Sequence, residues 1–302
     1  TNGSSTGVLL GFSSKDFGDL RGGKEVGLQP GTGYDEQDAD FKLEHFLEDG
    51  GRWTLVHQRV RQNDVPRTHK TIFGTNWEGL SNGSDLNRSL DQERDLTYAQ
   101  FQSEDALGLF DTSTTSISLH RQAEERDRIK SNGSQQFQGF EVNTLGMFQH
   151  FSKQSALGHW TMGADFYLDS VSSFLDKGSS QTAADDIQGP VADDASYLTS
   201  GIFVQDQIAL SERMNLSLGM RLAHARVDAN EVRDPVTNTQ ISIKDDWTAV
   251  LGSARVNYAL SGESATLFGG ISQGFRAPNL SDLTRFDSSR SDEFEIPAPG
   301  LD

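Results

Sequence analysis

The residues able to do covalent chemistry are few. Leu267–Leu283 reads LFGGISQGFRAPNLSDL and contains Gly270-x-Ser272-x-Gly274, the spacing of a nucleophile elbow. An elbow needs a sharp strand-to-helix turn, with an acid and then a histidine later in the chain. Here strand-like alternation runs straight through the triplet, and no His follows His224. No catalytic residue is expected. The seven His form no H-E-x-x-H pair, and Cys is absent, which excludes a disulfide framework and a thiolate metal site. Asp35–Asp40 (DEQDAD) lacks the glycine and closing Glu of a calcium loop. The pairs Asp185-Asp186, Asp193-Asp194 and Asp245-Asp246 read as solvated loop acids. No metal site and no cofactor are expected. What remains is binding chemistry. In DVPRTHKTIFGTNWEG, Arg67, His69 and Trp77 combine a cation, an imidazole and an indole in one long loop. With Arg276 and Asn279 they are the candidate ligand contacts.

The elements that must position these residues are read from periodicity. Leu216, Leu218, Met220 and Leu222 oppose Ser217, Gly219 and Arg221. Met162, Ala164, Phe166 and Leu168 oppose Asp165 and Asp169, and Val250, Ala254, Val256, Tyr258 and Leu260 oppose Ser253, Arg255 and Asn257. This is the period of a strand, and no helical stripe is sustained. Alternation alone also fits a soluble antiparallel sheet with one wet face.

Turn spacing separates the two cases. Short turns are expected at Asp49–Gly51, Asp111–Thr114, Lys153–Ala156, Ser211–Arg213 and Ser261–Ser264. Long polar segments alternate with them: Arg21–Glu36, Arg61–Arg88, Glu124–Gln135, Ser172–Ala195 and Ala229–Asp245. Connections sorted by length in this way predict an all-β, antiparallel transmembrane β-barrel, with short periplasmic turns and long extracellular loops. Trp53, Phe110, Phe151, Trp160 and Tyr258 fall near the short turns, and Trp247 falls just after a long loop, as two aromatic girdles would. About ten or eleven strands are expected: Thr6–Phe17, Gln37–Glu48, Arg52–Val60, Asp91–Ser103, Thr115–Glu124, Gln136–Phe151, Gly158–Val171, Tyr197–Leu210, Met214–Asp228, Trp247–Leu260 and Ala265–Phe275. Several exceed the roughly 9–11 residues that cross a bilayer, so they should project beyond it on the outer side.

Composition agrees. Only 34% of the 302 residues are hydrophobic, and no run is long enough for a transmembrane helix. A wall that greases lipid with every second residue needs no more. A net charge of −18 argues against a nucleic-acid partner. The first residues, TNGSSTGVLL, read as no signal peptide, and the chain is expected to be a fragment forming one partial barrel domain over 1–302.

GISQGFRAPNLSDLTRFDSSRSDEFEIPAPGLD resembles the barrel of TonB-dependent outer-membrane receptors. Gly274, Phe275, Arg276, Ala277, Pro278, Asn279 and Leu280 match that family's Gly-Phe-Arg-Ala-Pro-Asn-Leu box, and Pro299–Asp302 matches its second box loosely. GIFVQDQIALSERMNLSLGMRLAHARVD is similar to its paired strands. The resemblance implies a barrel of about 22 strands around a plug, of which this chain holds about half the wall. It implies active uptake of a scarce nutrient such as a ferric siderophore, a TonB energy-transducing complex as partner through a missing N-terminal part, and contact with outer-membrane lipid. It places the chain in the outer membrane of a Gram-negative-type bacterium. Phe275, Arg276, Ala277 and Pro278 would form a structural motif at the outer rim. About ten strand residues before Arg276 rise about 25–30 Å, one bilayer. Haem-uptake members carry a similar box with a His between the two boxes, whereas no His lies between Pro278 and Asp302. Ferric siderophore, cobalamin and plant-derived or oligosaccharide ligands stay open. The alternatives are a passive porin-like channel and a soluble carbohydrate-binding β protein or secreted enzyme.

Overall fold

The computed structural model describes residues 5–23, 26–76, 78, 79, 81–178, 186–260, 265–288 and 294–301. Eleven antiparallel strands pair in strict chain order into one sheet. They are β1 Thr6–Phe17, β2 Tyr34–Phe46, β3 Arg52–Pro66, β4 Asn87–Ala106, β5 Phe110–Ile129, β6 Gln135–Gln154, β7 His159–Asp176, β8 Asp193–Ser211, β9 Met214–Arg233, β10 Gln240–Ala259 and β11 Thr266–Ser272. A five-residue helix, α1 (Leu280–Thr284), follows, then the two-residue strands β12 (Asp287–Ser288) and β13 (Phe294–Glu295). Among the described residues, no helix is long and apolar enough to cross a membrane.

Register fixes the two faces. Leu55 aligns with Ala99, Ala99 with Ile117, Ile117 with Met147 and Met147 with Phe166. All five therefore share one face, as do Ile202, Leu222 and Val250 further along. This outer face is uncovered: Leu218, Met220 and Leu222 are 42%, 57% and 41% exposed. A water-soluble sheet would bury such a stripe under a second layer, whereas a membrane wall presents it to hydrocarbon. The opposite, inner face carries α1 and most of the ordered polar pairs. Arg221 of β9 passes over Gly201 of β8 to grip Asp165 of β7 through two bonds of 2.7 and 2.8 Å. A side chain at Gly201 would collide with that guanidinium.

Connections alternate as expected, but their lengths need correction. The short turns are residues 47–51, 107–109, 155–158 and 212–213. Asp111–Thr114 lies inside β5, because Leu107 and Gly108 adopt positive φ (58° and 62°) and close the hairpin earlier. Ser261–Ser264 lies outside the described residues. At the other end, residues 18–33, 67–86 and 177–192 form long connections. The expected long loops at Glu124–Gln135 and Ala229–Asp245 are instead strand ends joined by residues 130–134 and 234–239. Their polar residues misled because a strand outside the bilayer has water on its outer face and can be charged on both.

Two further expectations are overturned. β11 stops at Ser272 rather than Phe275; Gln273 still donates to Gly252 O at 3.0 Å, and the chain then leaves the ladder. Trp247 belongs to no outer girdle. It aligns with inner-face Ala225 and packs against a small core. That core is built from Val171, Ala195, Tyr197, Ala225, Val227 and Ile243 with Leu283 of α1, which is 1% exposed. At the short-turn end, Trp53 meets Phe101 and Phe110 meets Phe151, each at 4.6 Å between ring centres.

Candidate functional site

The box after β11 forms a strap across the inner face. Asn279 caps α1: its side chain accepts from Asp282 N at 2.8 Å, and Asp282 accepts from Asn279 N at 3.0 Å. This reciprocal pair satisfies two amide groups that a helix start leaves open. Tyr197 Oη donates to Pro278 O at 2.9 Å, and Ala277 packs on the core. Gln188 Nε2 donates to Thr284 O at 2.8 Å, and Ala192 N donates to Thr284 Oγ1 at 3.0 Å. Loop 186–192 and α1 thus lock together over the inner ends of β7–β9.

Beneath this strap lies a cavity of about 530 Å³ lined by Arg67, Glu124, Phe140, Tyr197, Asn279 and Asp287, among others. It combines carboxylates, the guanidinium groups of Arg67 and Arg285, hydroxyls and two aromatic rings, a mixture suited to a small ligand with a polar head and an apolar body. A second hollow of about 760 Å³ lies near the short turns, lined by Gln154, Gln205, Gln207, Asn215, Ser253 and Arg255. Its walls are mostly neutral amides and hydroxyls, so the first hollow has the sharper chemistry.

The sequence-derived candidates scatter around this cavity. Arg67 and Asn279 line it together, although 212 positions separate them in the chain. His69 sits in a single 3₁₀ turn, Thr68–Lys70, just after Arg67. Partial burial and the nearby charges of Lys70, Arg67 and Arg88 lower its pKa below the usual 6.5. Arg276 is exposed and pairs with Asp282 at 2.6 Å. Trp77 lies outside the described residues. Phe275 is half exposed beside the strap. Gly270 and Ser272 sit in the straight edge strand β11, and Gly274 follows it.

Sequence reasoning missed the buried charges beside the cavity. Arg126 grips Asp287 through bonds of 2.8 and 3.1 Å, and Arg128 grips Asp85 at 2.8 and 2.9 Å. Arg88 is 3.6 Å from Asp85. The signal was present: Arg126 and Arg128 are two apart and so share a strand face, but their segment was read as loop.

The sequence profile of the TonB dependent receptor-like beta-barrel matches residues 4–302. The chain belongs to this family. Barrels of TonB-dependent receptors are outer-membrane structures, and members of the family are receptors and transporters rather than enzymes. No curated protein sequence matches the chain significantly. Solved structures share the fold. The Serratia marcescens hemophore receptor HasR, in complex with its hemophore HasA and heme, superposes with a TM-score of 0.77 at 13% identity, over 99% of this chain and 45% of that one. The copper transporter OprC gives 0.70 at 15% identity, over 93% and 43%. The FrpB iron transporter from Neisseria meningitidis gives 0.67 at 13% identity, over 92% and 43%. The chain spans less than half the length of each of these three receptors.

Proposed function

We propose that this chain forms about half the wall of a TonB-dependent transporter that captures a scarce nutrient, such as a ferric siderophore, at its outer end. In this reading the chain is part of a longer protein and a single partial barrel domain over 1–302. The strands β1 and β11 join the remainder of a closed barrel, since open edges in lipid leave backbone groups unsatisfied at several kcal/mol each. The short turns face the periplasm, and the long connections face outward from a Gram-negative-type cell. The TonB complex supplies energy through the part of the protein before this wall. The wall itself binds and encloses and does no covalent chemistry.

One observation carries the assignment of the site: residues distant in the chain, Arg67 and Asn279, meet at one cavity on the inner face at the loop end. His69, Trp77 and Arg276 are proposed to join them on ligand capture. The test is uptake by the native host under iron limitation. Deleting the gene should abolish uptake of one labelled ferric siderophore, and the full-length gene should restore it only in cells with an intact TonB complex. Arg67→Ala should leave the protein in the membrane and weaken uptake. Uptake that persists without TonB would indicate a passive channel. Recovery of the full-length protein from cells without detergent would indicate a soluble protein.

A further inference from the structure

Asp287 is the feature that the reading above leaves unexplained. It lines the cavity, and its carboxylate takes both terminal nitrogens of Arg126 in a forked pair. Gln138 Nε2 adds a third contact at 3.4 Å. The Arg126 side chain is only 8% exposed, and its Nε is buried with no hydrogen-bond partner among the described residues. Arg88, Arg126 and Arg128 converge on this spot and are answered by Asp85 and Asp287. Arg126 and Arg128 are each gripped by a forked carboxylate, Asp287 and Asp85, and Arg88 lies 3.6 Å from Asp85, in a protein whose overall charge is −18.

A buried guanidinium left bare is strongly destabilising, so Arg126, behind the cavity wall that Asp287 forms, needs an anion. Asp287 supplies it from the strap, which reaches this wall from 161 positions further along the chain. The bonds that tie the strap to the wall and to loop 186–192 include neutral ones, Tyr197 to Pro278, Gln188 and Ala192 to Thr284, and Phe286 N to Pro190 O at 3.0 Å, while the ion pairs Arg276–Asp282 and Arg285–Glu295 lie within the segment after β11.

We propose that Asp287 is a built-in stand-in for a ligand carboxylate, and that a carboxylate-bearing ligand entering the cavity displaces it from Arg126 and loosens the strap. The exchange is near balance by construction. One forked ion pair replaces another, Arg126 never goes bare, and Asp287 is released to water, where a carboxylate is well solvated. A ligand with a second acceptor can also satisfy the open Arg126 Nε, which tips the exchange in its favour. The inference rests on the loop-end cavity being the ligand vestibule, and it assigns that ligand a carboxylate.

The experiment uses the full-length receptor in detergent, with citrate as probe and citric triamide as the neutral control. Calorimetry should show citrate binding to the unaltered protein and no binding of the triamide. Asp287→Asn should tighten citrate binding by about tenfold or more, the equivalent of one charge-assisted interaction. Arg126→Gln should abolish the binding. Hydrogen exchange supplies an arm that needs no variant: citrate should speed amide exchange across residues 283–288 in the unaltered protein, and the triamide should not. Should Asp287→Asn fail to fold, this arm decides alone. Citrate that binds nowhere, that binds Asp287→Asn no tighter, or that leaves exchange in the strap unchanged overturns the proposal. Any of those results, with siderophore uptake still dependent on TonB, removes the displacement and leaves the transporter reading standing.

Discussion

The two ends of β9 obey opposite rules. From Leu216 to Leu222 the outer face is Leu, Leu, Met, Leu, and the inner face is Ser217, Gly219 and Arg221. From Ala223 to Ala229 the outer face is His224, Arg226 and Asp228, and the inner face is Ala225, Val227 and Ala229. The alternation never breaks, but its phase inverts. Other strands make the same change, β10 opposite the same residues of β9 and β5 two outward positions further along the register. On the outer face β5 passes from Ile117 and Leu119 to Arg121, which holds Glu93 at 2.7 Å and Glu141 at 2.7 Å, and β10 passes from Val250 to Thr248 and Asp246. The inversion marks where hydrocarbon ends. Below it, lipid is outside and the polar interior is inside. Above it, water is outside, and the inner face becomes the driest surface because α1 covers it. The outward apolar run from Met214 to Leu222 is about the length that crosses a bilayer. Strand length therefore says little about membrane thickness here, whereas the position of the phase change says a great deal.

The sharpest way to break this comparison is at the dry inner end. Leu283→Ala removes the most buried apolar side chain of α1, 1% exposed, from its seat among Val227 and its neighbours. The expected loss is about 2–5 kcal/mol, the usual range for a buried leucine. It should be confined to the strap, read as faster amide exchange at Ala192 and Thr284 with the strand ladder unchanged. A loss spread evenly over all eleven strands would mean that the outer core holds the wall together rather than resting on it.

The second test makes opposite substitutions on the outer face on either side of the inversion. Met220→Arg places a cation on the lipid face and should cost about 2–4 kcal/mol of folding into bilayers if it sits near the midplane. Arg226→Leu, three outward positions higher, should change stability by no more than about 0.5 kcal/mol, as exposed substitutions do. A gain of about 2–4 kcal/mol from Arg226→Leu would place Arg226 in hydrocarbon and erase the boundary.

Much of this was legible in the sequence, and the failures share a cause. The eleven strands follow from period-two alternation, and even Asp91–Ser103, the segment with the weakest apolar pattern, is part of β4, because its backbone pairs along its length with β3 and β5. Errors collect above the inversion. Glu124–Ile129 and Ala229–Arg233 were read as loop because the phase change resembles loss of pattern, when only the identity of the dry face had changed. The N-cap signal Asn279-x-x-Asp282 is present in the sequence, but Asn279 is expected there as a ligand contact and no helix is expected. Of the candidate site, Arg67 and Asn279 were legible as residue types. Their meeting was not, since it depends on a strap folding inward after Ser272. The charge cluster around Arg126 was hidden for the same reason: its partner Asp287 lies 161 positions away.

The smallest expected effect concerns the electrostatics that the two regions do not share. Ion pairs on the outer face alternate in sign from strand to strand, Arg59 and Arg61 on β3, Asp95 and Glu93 on β4, Arg121 on β5 and Glu141 on β6, whereas the connection holding Arg67, His69 and Lys70 gathers cations beside Arg88. Partial burial, then the charges of Lys70, Arg67 and Arg88, disfavour protonation of His69, so its midpoint should fall below 6.5. The sign follows directly. With the folded-state value depressed, the freed loop takes up a proton first on acidification, so the docked loop is fully stabilised above about pH 6.5 and loses stability as pH falls below it. A proton NMR titration of the full-length receptor, with the His69 signal assigned by its loss in His69→Gln, measures the midpoint. Arg67→Ala should move it part of the way back up by removing one of the three cations. A midpoint at or above 6.5, or one indifferent to Arg67, would show that solvent screens the loop and that the cationic character of this end does not extend as far as His69.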